Sequence, residues 1–224
     1  MTVRQIHDVE QGSPEWFSLR CGKITASEMK LIMTPTGKIA NNDKSRIHIY
    51  ELAGQRITKY VEPSYISDDM LRGMQDEINA KGLYSEHYSP AHEVGFMTYS
   101  HQGITIGGSP DGVVGENGLL EIKSRMQKHH IRTLAENAVP EEYILQIQTM
   151  LLISNRDWLD FISFCAGLPM FVKRVYPDIG LQEKIWEAVC EAEQKIKDAI
   201  NLAQANPNAR IETVRNEEEG EIIL

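Results

Sequence analysis

Asp111, Glu121 and Lys123 lie in GGSPDGVVGENGLLEIKS, residues 107–124, where two short β-prone runs flank a glycine-rich turn. Gly115-Glu116-Asn117-Gly118 supplies what a hairpin turn needs; turn chemistry does not call for two carboxylates and a lysine beside it. With the turn centred between Glu116 and Asn117, opposed residues have numbers summing to about 233, so Asp111 faces Ile122. Side chains alternate along a strand, so Glu121 and Lys123 share a face and Asp111 is a diagonal neighbour of both. Leu119, Leu120 and Ile122 around them are apolar. A half-buried pair of like charges needs a compensating cation, and a hard divalent ion such as Mg²⁺ or Mn²⁺ suits oxygen ligands. Ser-Pro-Asp-Gly is also an ordinary turn, and Glu-x-Lys on a strand is also an ordinary ion pair facing water. Spacing alone leaves both readings standing.

The elements that must position these residues follow from pattern. Thr25-x-x-Glu28 before an apolar run has the form of a capping box and predicts a helix from Thr25. Further helices are expected at about Lys44–Tyr60 and from near Ser67, the latter carrying Met70, Gly73 and Glu77. Between Met97 and Lys123 the pieces MTYS, ITIGG, GVV and LLEIK, punctuated by glycine, read as strands. Glu141–Ser154 reads as a buried helix, WLDFISFC and MFVKRVY as strands, and Leu181–Ala205 as a long amphipathic helix. Helices, sheet, helix, two strands and a closing helix make an α/β (α+β) fold, a mixed sheet flanked by helices. With 224 residues, 42% of them hydrophobic, the chain suits a single domain over 1–224 with an acidic tail at about 208–224.

Net charge is −9, which argues against coating nucleic acid by bulk attraction. Residues 1–60 nevertheless carry nine Lys/Arg against six Asp/Glu, so a basic lining can coexist with an acidic exterior. The start of the chain has no leader pattern and no run reaches a membrane span, which implies no membrane and a cytoplasmic location. Cys21, Cys165 and Cys190 are scattered and odd in number, which fits a reducing compartment and neither a disulfide framework nor a cysteine metal site. His129 and His130 lack a third histidine or a cysteine to complete a zinc set.

Ser109-Pro110-Asp111-Gly112 followed by Glu121-Ile122-Lys123 resembles the PD-(D/E)xK nuclease signature. The surrounding text resembles the lambda-exonuclease-like (YqaJ-type) phage recombination nucleases from about Trp16 to Asn155: Trp16-x-x-Leu19-Arg20-x-Gly22-x-Ile24-Thr25-Ala26-Ser27-Glu28, Gly73-x-x-x-Glu77, the Asp/Glu/Lys set, and Tyr143-x-x-Gln146-x-Gln148. Met-Leu-Arg before Gly73 departs from the family text. The resemblance implies a restriction-endonuclease-like core and a metal-dependent 5′-to-3′ exonuclease. Its substrate would be linear double-stranded DNA with 5′-phosphorylated ends, and its products 5′-mononucleotides and a 3′ single strand.

By the same resemblance two Mg²⁺ ions, replaceable by Mn²⁺, are held by Asp111, Glu121, the Ile122 carbonyl and Glu77. Lys123 and Gln146 complete the catalytic set. Arg20 and Ser27 would meet the terminal 5′ phosphate, Ser109 and Tyr143 would contact the substrate, and Met70 would wedge the duplex end; Lys38, on the loop Pro35-Thr36-Gly37-Lys38, could reach a backbone phosphate. Taken without the family, Arg20 equally pairs with Glu28, Gln146 is an amide satisfied in the core, and Met70 is a helix core residue. The family further implies a ring-shaped homotrimer and a single-strand annealing protein as partner; Glu217-Glu218-Glu219 reads either as a docking point for it or as a solvated end. A repair nuclease with an iron–sulfur cluster requires four cysteines, one more than are present. A restriction endonuclease would cut closed circles, and a non-catalytic DNA-binding module would yield no product.

Overall fold

The computed structural model describes residues 2–63, 67–209 and 211–215, with the side chains of residues 68–70 outside that description. Two mixed sheets carry the architecture. In the first, β1 (Val3–His7), β4 (Phe96–His101), β5 (Ile104–Gly108) and β2 (Ile24–Thr25) lie in the order β1-β4-β5-β2, with β2 parallel to β5. In the second, β3 (Ala91–His92), β6 (Gly112–Val114), β7 (Gly118–Ser124), β8 (Trp158–Phe164) and β9 (Phe171–Val175) lie in sequence order. There β7 and β8 are parallel, so the chain between them makes a crossover through α5 (Gln127–Glu136) and α6 (Glu141–Ser154).

The remaining helices are α1 (Pro14–Arg20), the short α2 (Met29–Ile32), α3 (Asp43–Thr58), α4 (Asp68–His87) and α7 (Ile179–Gln204). Most of α6 is apolar all round, and Leu145, Ile147, Met150, Leu151 and Ile153 are buried. It shares a core with α2, α3 and α7 and with Leu119, Leu159 and Phe161 of the second sheet. A smaller core lies under α4, where Ala80 and Tyr84 meet Leu120, Ile122 and Ile162. The sheet is therefore sandwiched, and the period of two sends alternate β7 side chains towards α6 and α4. Close approach of α6 requires Gly108, because a Cβ there would stand 2.4 Å from the Met150 sulfur.

Three local expectations are corrected. The β6–β7 pairs are Gly112↔Leu120 and Val114↔Gly118, one register step from the expected pairing. Gly115 adopts φ +54° and makes the loop three residues long, while Arg156 Nη1 donates to the carbonyls of Gly115 and Gly118 at 2.9 Å each. The helix expected at Thr25 is instead the end of β2 followed by a 3-10 turn, Ala26–Glu28, and α2 has four residues. Thr25 makes no capping bond; its hydroxyl donates directly to the Glu28 carboxylate at 2.6 Å. Lys123 does not face water, since its side chain is only 27% exposed. Among the tail residues, 211–215 have no secondary structure and Arg215 lies 3.8 Å over the Tyr60 ring; Glu217, Glu218 and Glu219 lie outside the described residues.

Candidate active site

β6 begins only at Gly112, so the Ile122 N–H on β7 has no strand partner there. The Asp111 carboxylate takes that place, accepting from the Ile122 N–H at 2.5 Å, while the Asp111 N–H donates to the Leu120 carbonyl at 3.1 Å. The N–H and C=O of one strand residue point to the same side, so the Ile122 carbonyl also faces Asp111. A one-step register error thus left the Asp111–Ile122 neighbourhood intact, because a side chain reaches across where the ladder stops.

Glu121 points towards α6 and is 1% exposed. Its Oε1 accepts from Lys123 Nζ and from Gln146 Nε2, each at 2.6 Å. Its Oε2 is buried with no hydrogen-bond partner. An ionised oxygen left bare in a protein interior is costly, and a cation is the natural remedy. Burial opposes charge on Lys123, but Glu121 and Asp111 outweigh it and hold its pKa above the usual lysine value. Lys123 is therefore an ammonium at neutral pH.

Burial first, then the charges of Glu121 and Glu77, pushes the Asp111 carboxyl well above its usual range, against Lys123 and the Ile122 N–H. Glu77 on α4 is likewise raised, by burial above all, with Lys81 opposing at 3.5 Å and Glu121 adding to the rise. Glu77, Lys81 and Asp111 line one cleft of about 600 Å³, together with Met74, Ile78 and Glu93. Carboxylates that raise one another's pKa form a donor set that a hard divalent ion would relieve. Among the described residues no group of three or more acidic, imidazole or thiol side chains is placed to hold a metal ion by itself. Glu121 is turned to Lys123 and Gln146, and Asp111 to the Ile122 N–H.

A second group of predicted residues is linked to this one through Trp16, whose Nε1 donates to Ser109 Oγ at 2.9 Å. The Arg20 guanidinium lies 5.3 Å over the Trp16 ring, and its Nη2 pairs with Glu28 Oε1 at 2.6 Å. Ser27 is exposed, with its Oγ 3.3 Å from the Thr25 hydroxyl. Arg20, Ser27 and Ser109 thus belong to one connected patch, but a 3-10 turn replaces the helix N-terminus expected to favour an anion there. Tyr143 on α6 stacks on Phe161 with ring centroids 5.4 Å apart, and Lys123 Nζ lies 5.5 Å from its ring.

Lys38 is exposed on a turn closed by the Thr34 N–H to the Lys38 carbonyl, beside Lys184 of α7, and no described contact joins it to the Asp111 cluster. Met70 belongs to α4, but its side chain lies outside the described residues. His130 is fully buried between Ser163 Oγ and the Pro169 carbonyl and is a core residue. Gln148 is structural too, bonding the Tyr176 carbonyl and the Asp178 N–H. Sequence reasoning missed Arg125, which directly follows the Glu-Ile-Lys-Ser run and donates to the Tyr143 hydroxyl at 2.8 Å. Its place two residues after Lys123 was the available signal. It also missed Lys81, one helical turn after Glu77.

Residues 15–157 match the model of the YqaJ-like viral recombinase domain. The alkaline exonuclease LHK-Exo from Laribacter hongkongensis is 32% identical, with a TM-score of 0.75 over 86% of this chain and 96% of that one. Its complex with dAMP is 33% identical, with a TM-score of 0.75 over 84% and 95%. A phage-related exonuclease from Haemophilus somnus 129PT shares the fold at 18% identity, with a TM-score of 0.61 over 80% and 95%. No curated protein matches the chain. The order of the site motifs, the two-sheet fold and a family match covering most of the chain agree: this protein belongs to the family of YqaJ-like viral recombinase domains.

Proposed function

We propose that the chain is a metal-dependent exonuclease that degrades one strand of linear double-stranded DNA from a 5′-phosphorylated end, 5′ to 3′. It leaves 5′-mononucleotides and a 3′ single strand for recombination by strand annealing. The observation that carries this reading is the bare Glu121 Oε2, buried beside Lys123 and Gln146 within the influence of Asp111. Asp111, Glu121, the Ile122 carbonyl and Glu77 would hold Mg²⁺, or Mn²⁺ in its place. Two such ions would supply a polarised phosphate and a water ionised near neutral pH.

The chain's own side chains do the rest. Lys123 orients the attacking water and stabilises the developing negative charge. Gln146 fixes the Glu121 carboxylate, so that its free oxygen is aimed before any ion arrives. Arg20 and Ser27 grip the terminal phosphate, Ser109 and Tyr143 wall the substrate, Lys38 tethers the backbone and Met70 wedges the opening end. The protein works as a homotrimeric ring of single-domain subunits in the cytoplasm of a bacterial host. It passes the exposed strand to an annealing protein. Among the described residues no helix is long and apolar enough to cross a membrane.

The test is digestion of linear duplexes labelled separately on each strand, carrying 5′-phosphate or 5′-hydroxyl ends, with closed circles alongside. Preferential loss of the 5′-phosphorylated strand with circles untouched is expected. Cutting of circles would make the protein an endonuclease, and loss from 3′ ends would reverse the polarity.

A further inference from the structure

Arg125 is a charged residue whose side chain is only 9% exposed, and its Nε is buried without a hydrogen-bond partner. Sequestering a guanidinium this far is unfavourable unless its position matters. Its main-chain N–H donates to the Phe164 carbonyl at 2.8 Å, which fixes it just past the end of β7. From there Nη1 reaches the first turns of α6, donating to Glu142 Oε1 at 2.6 Å and to the Tyr143 hydroxyl at 2.8 Å. Glu142 is 60% exposed, so water screens that pair and Tyr143 is the better-defined partner. The Tyr143 ring has Arg125 at 5.2 Å, Lys123 Nζ at 5.5 Å and Phe161 stacked on it. Gln146, which bonds Glu121, lies three residues further along the same helix and on the same side.

We propose that Arg125 is a positioning residue for hydrolysis. Its bond to Tyr143 clamps the start of α6 to the end of β7, and so holds Tyr143 over Lys123 and Gln146 against Glu121. This rests on the reading that Glu121 and Lys123 carry phosphodiester hydrolysis. With its side chain only 9% exposed and bonded to the Tyr143 hydroxyl, it acts on turnover and not on capture of the DNA end. Lysine is a poor replacement: Nη1 alone makes both bonds, but a compact, strongly hydrated ammonium has no counterpart to the planar guanidinium that lies 5.2 Å from the Tyr143 ring.

The experiment is steady-state digestion of a 5′-phosphorylated linear duplex over a range of end concentrations. The proteins compared are the wild type, Arg125→Lys, Tyr143→Phe and the double variant, each with a thermal melt. Each single variant is expected to lower kcat about tenfold or more, since small displacements of a catalytic group are felt strongly. KM for ends should stay within about twofold, and the double variant should be no slower than the slower single one, as for residues acting as one unit. A raised KM with kcat kept, effects that multiply in the double variant, or a kcat loss matching only the unfolded fraction would each overturn the positioning role. If the wild type itself digests nothing, the hydrolysis reading fails and the proposal with it. An active wild type beside fully active variants removes the positioning role alone.

Discussion

Glu121 and Asp160 are buried carboxylates on adjacent parallel strands, 1% and 3% exposed, and they sit on opposite faces of one sheet. On the α4 face, Asp160 accepts from the Tyr84 hydroxyl at 2.7 Å and from Arg174 Nε and Nη2 at 2.8 and 2.9 Å, so both its oxygens are served. Arg174 in turn lies 3.5 Å over the Trp158 ring. On the α6 face, Glu121 concentrates two donors on Oε1 and leaves Oε2 bare. The same physics governs both: a buried charge must be answered. Where the protein answers it internally the carboxylate holds the fold. At Glu121 one oxygen stays open.

Exchanging the charge for an amide should separate the two most sharply. Glu121→Gln should lower nuclease turnover by about a thousandfold or more, because it removes the charge of a proposed metal ligand. Its metal-free stability should change by under about 1 kcal/mol, as removal of the bare charge on Oε2 offsets the loss of Lys123's partner. Asp160→Asn should do the reverse. Arg174 is 43% exposed, which moderates the cost to about 2–3 kcal/mol in urea unfolding, with turnover per folded molecule kept. If the two substitutions behaved alike in both assays, the distinction between the two faces would be lost.

Acidity sharpens the comparison further. Asp111 and Glu77 have folded pKa values raised above their unfolded ones, so the folded state binds more protons than the unfolded state in that range. Their contribution to stability is complete below the ordinary carboxyl pKa of about 4 and is lost as pH rises through the folded values. In EDTA, Tm should therefore decline as pH rises above about 4, and Mg²⁺ should restore it most on the alkaline side. Asp111→Asn should flatten this dependence, and an unchanged slope in that variant would assign the decline to other groups.

A small stability effect belongs to a pair between these extremes. Arg20 and Glu28 are 22% and 24% exposed, so Arg20→Ala should cost under about 1 kcal/mol. It should still reduce the preference for 5′-phosphate over 5′-hydroxyl ends by roughly tenfold, the value of one charge-assisted contact. A preserved preference would remove Arg20 from the end-binding patch.

Much of the site was legible because its signals are local. Glu121 and Lys123 share a face by strand alternation, and Glu77 and Gln146 occupy helices whose patterns are plain. What escaped depended on a competing local choice or on distance along the chain. Thr25 and Glu28 fit a capping box, yet Ile24 and Thr25 were drawn into β2 beside β5, and the two side chains then bonded each other. The hairpin register shifted because Gly115 made a three-residue loop, a choice that Arg156, 41 residues away, helps to fix. The strand β1 and the helices α1 and α5 went unread, β1 because its strand partner β4 is far along the chain. Asp160 could not be recognised as satisfied, since Tyr84 lies 76 residues away and Arg174 lies on the next strand.

The most direct measurement is binding of Mn²⁺ to the DNA-free protein by titration calorimetry, with wild type and Glu121→Gln side by side. The wild type should bind, and the variant at least about tenfold more weakly, the loss of one charged ligand. Equal affinity in the two proteins would contradict the claim that the bare oxygen of Glu121 is a seat for a metal ion.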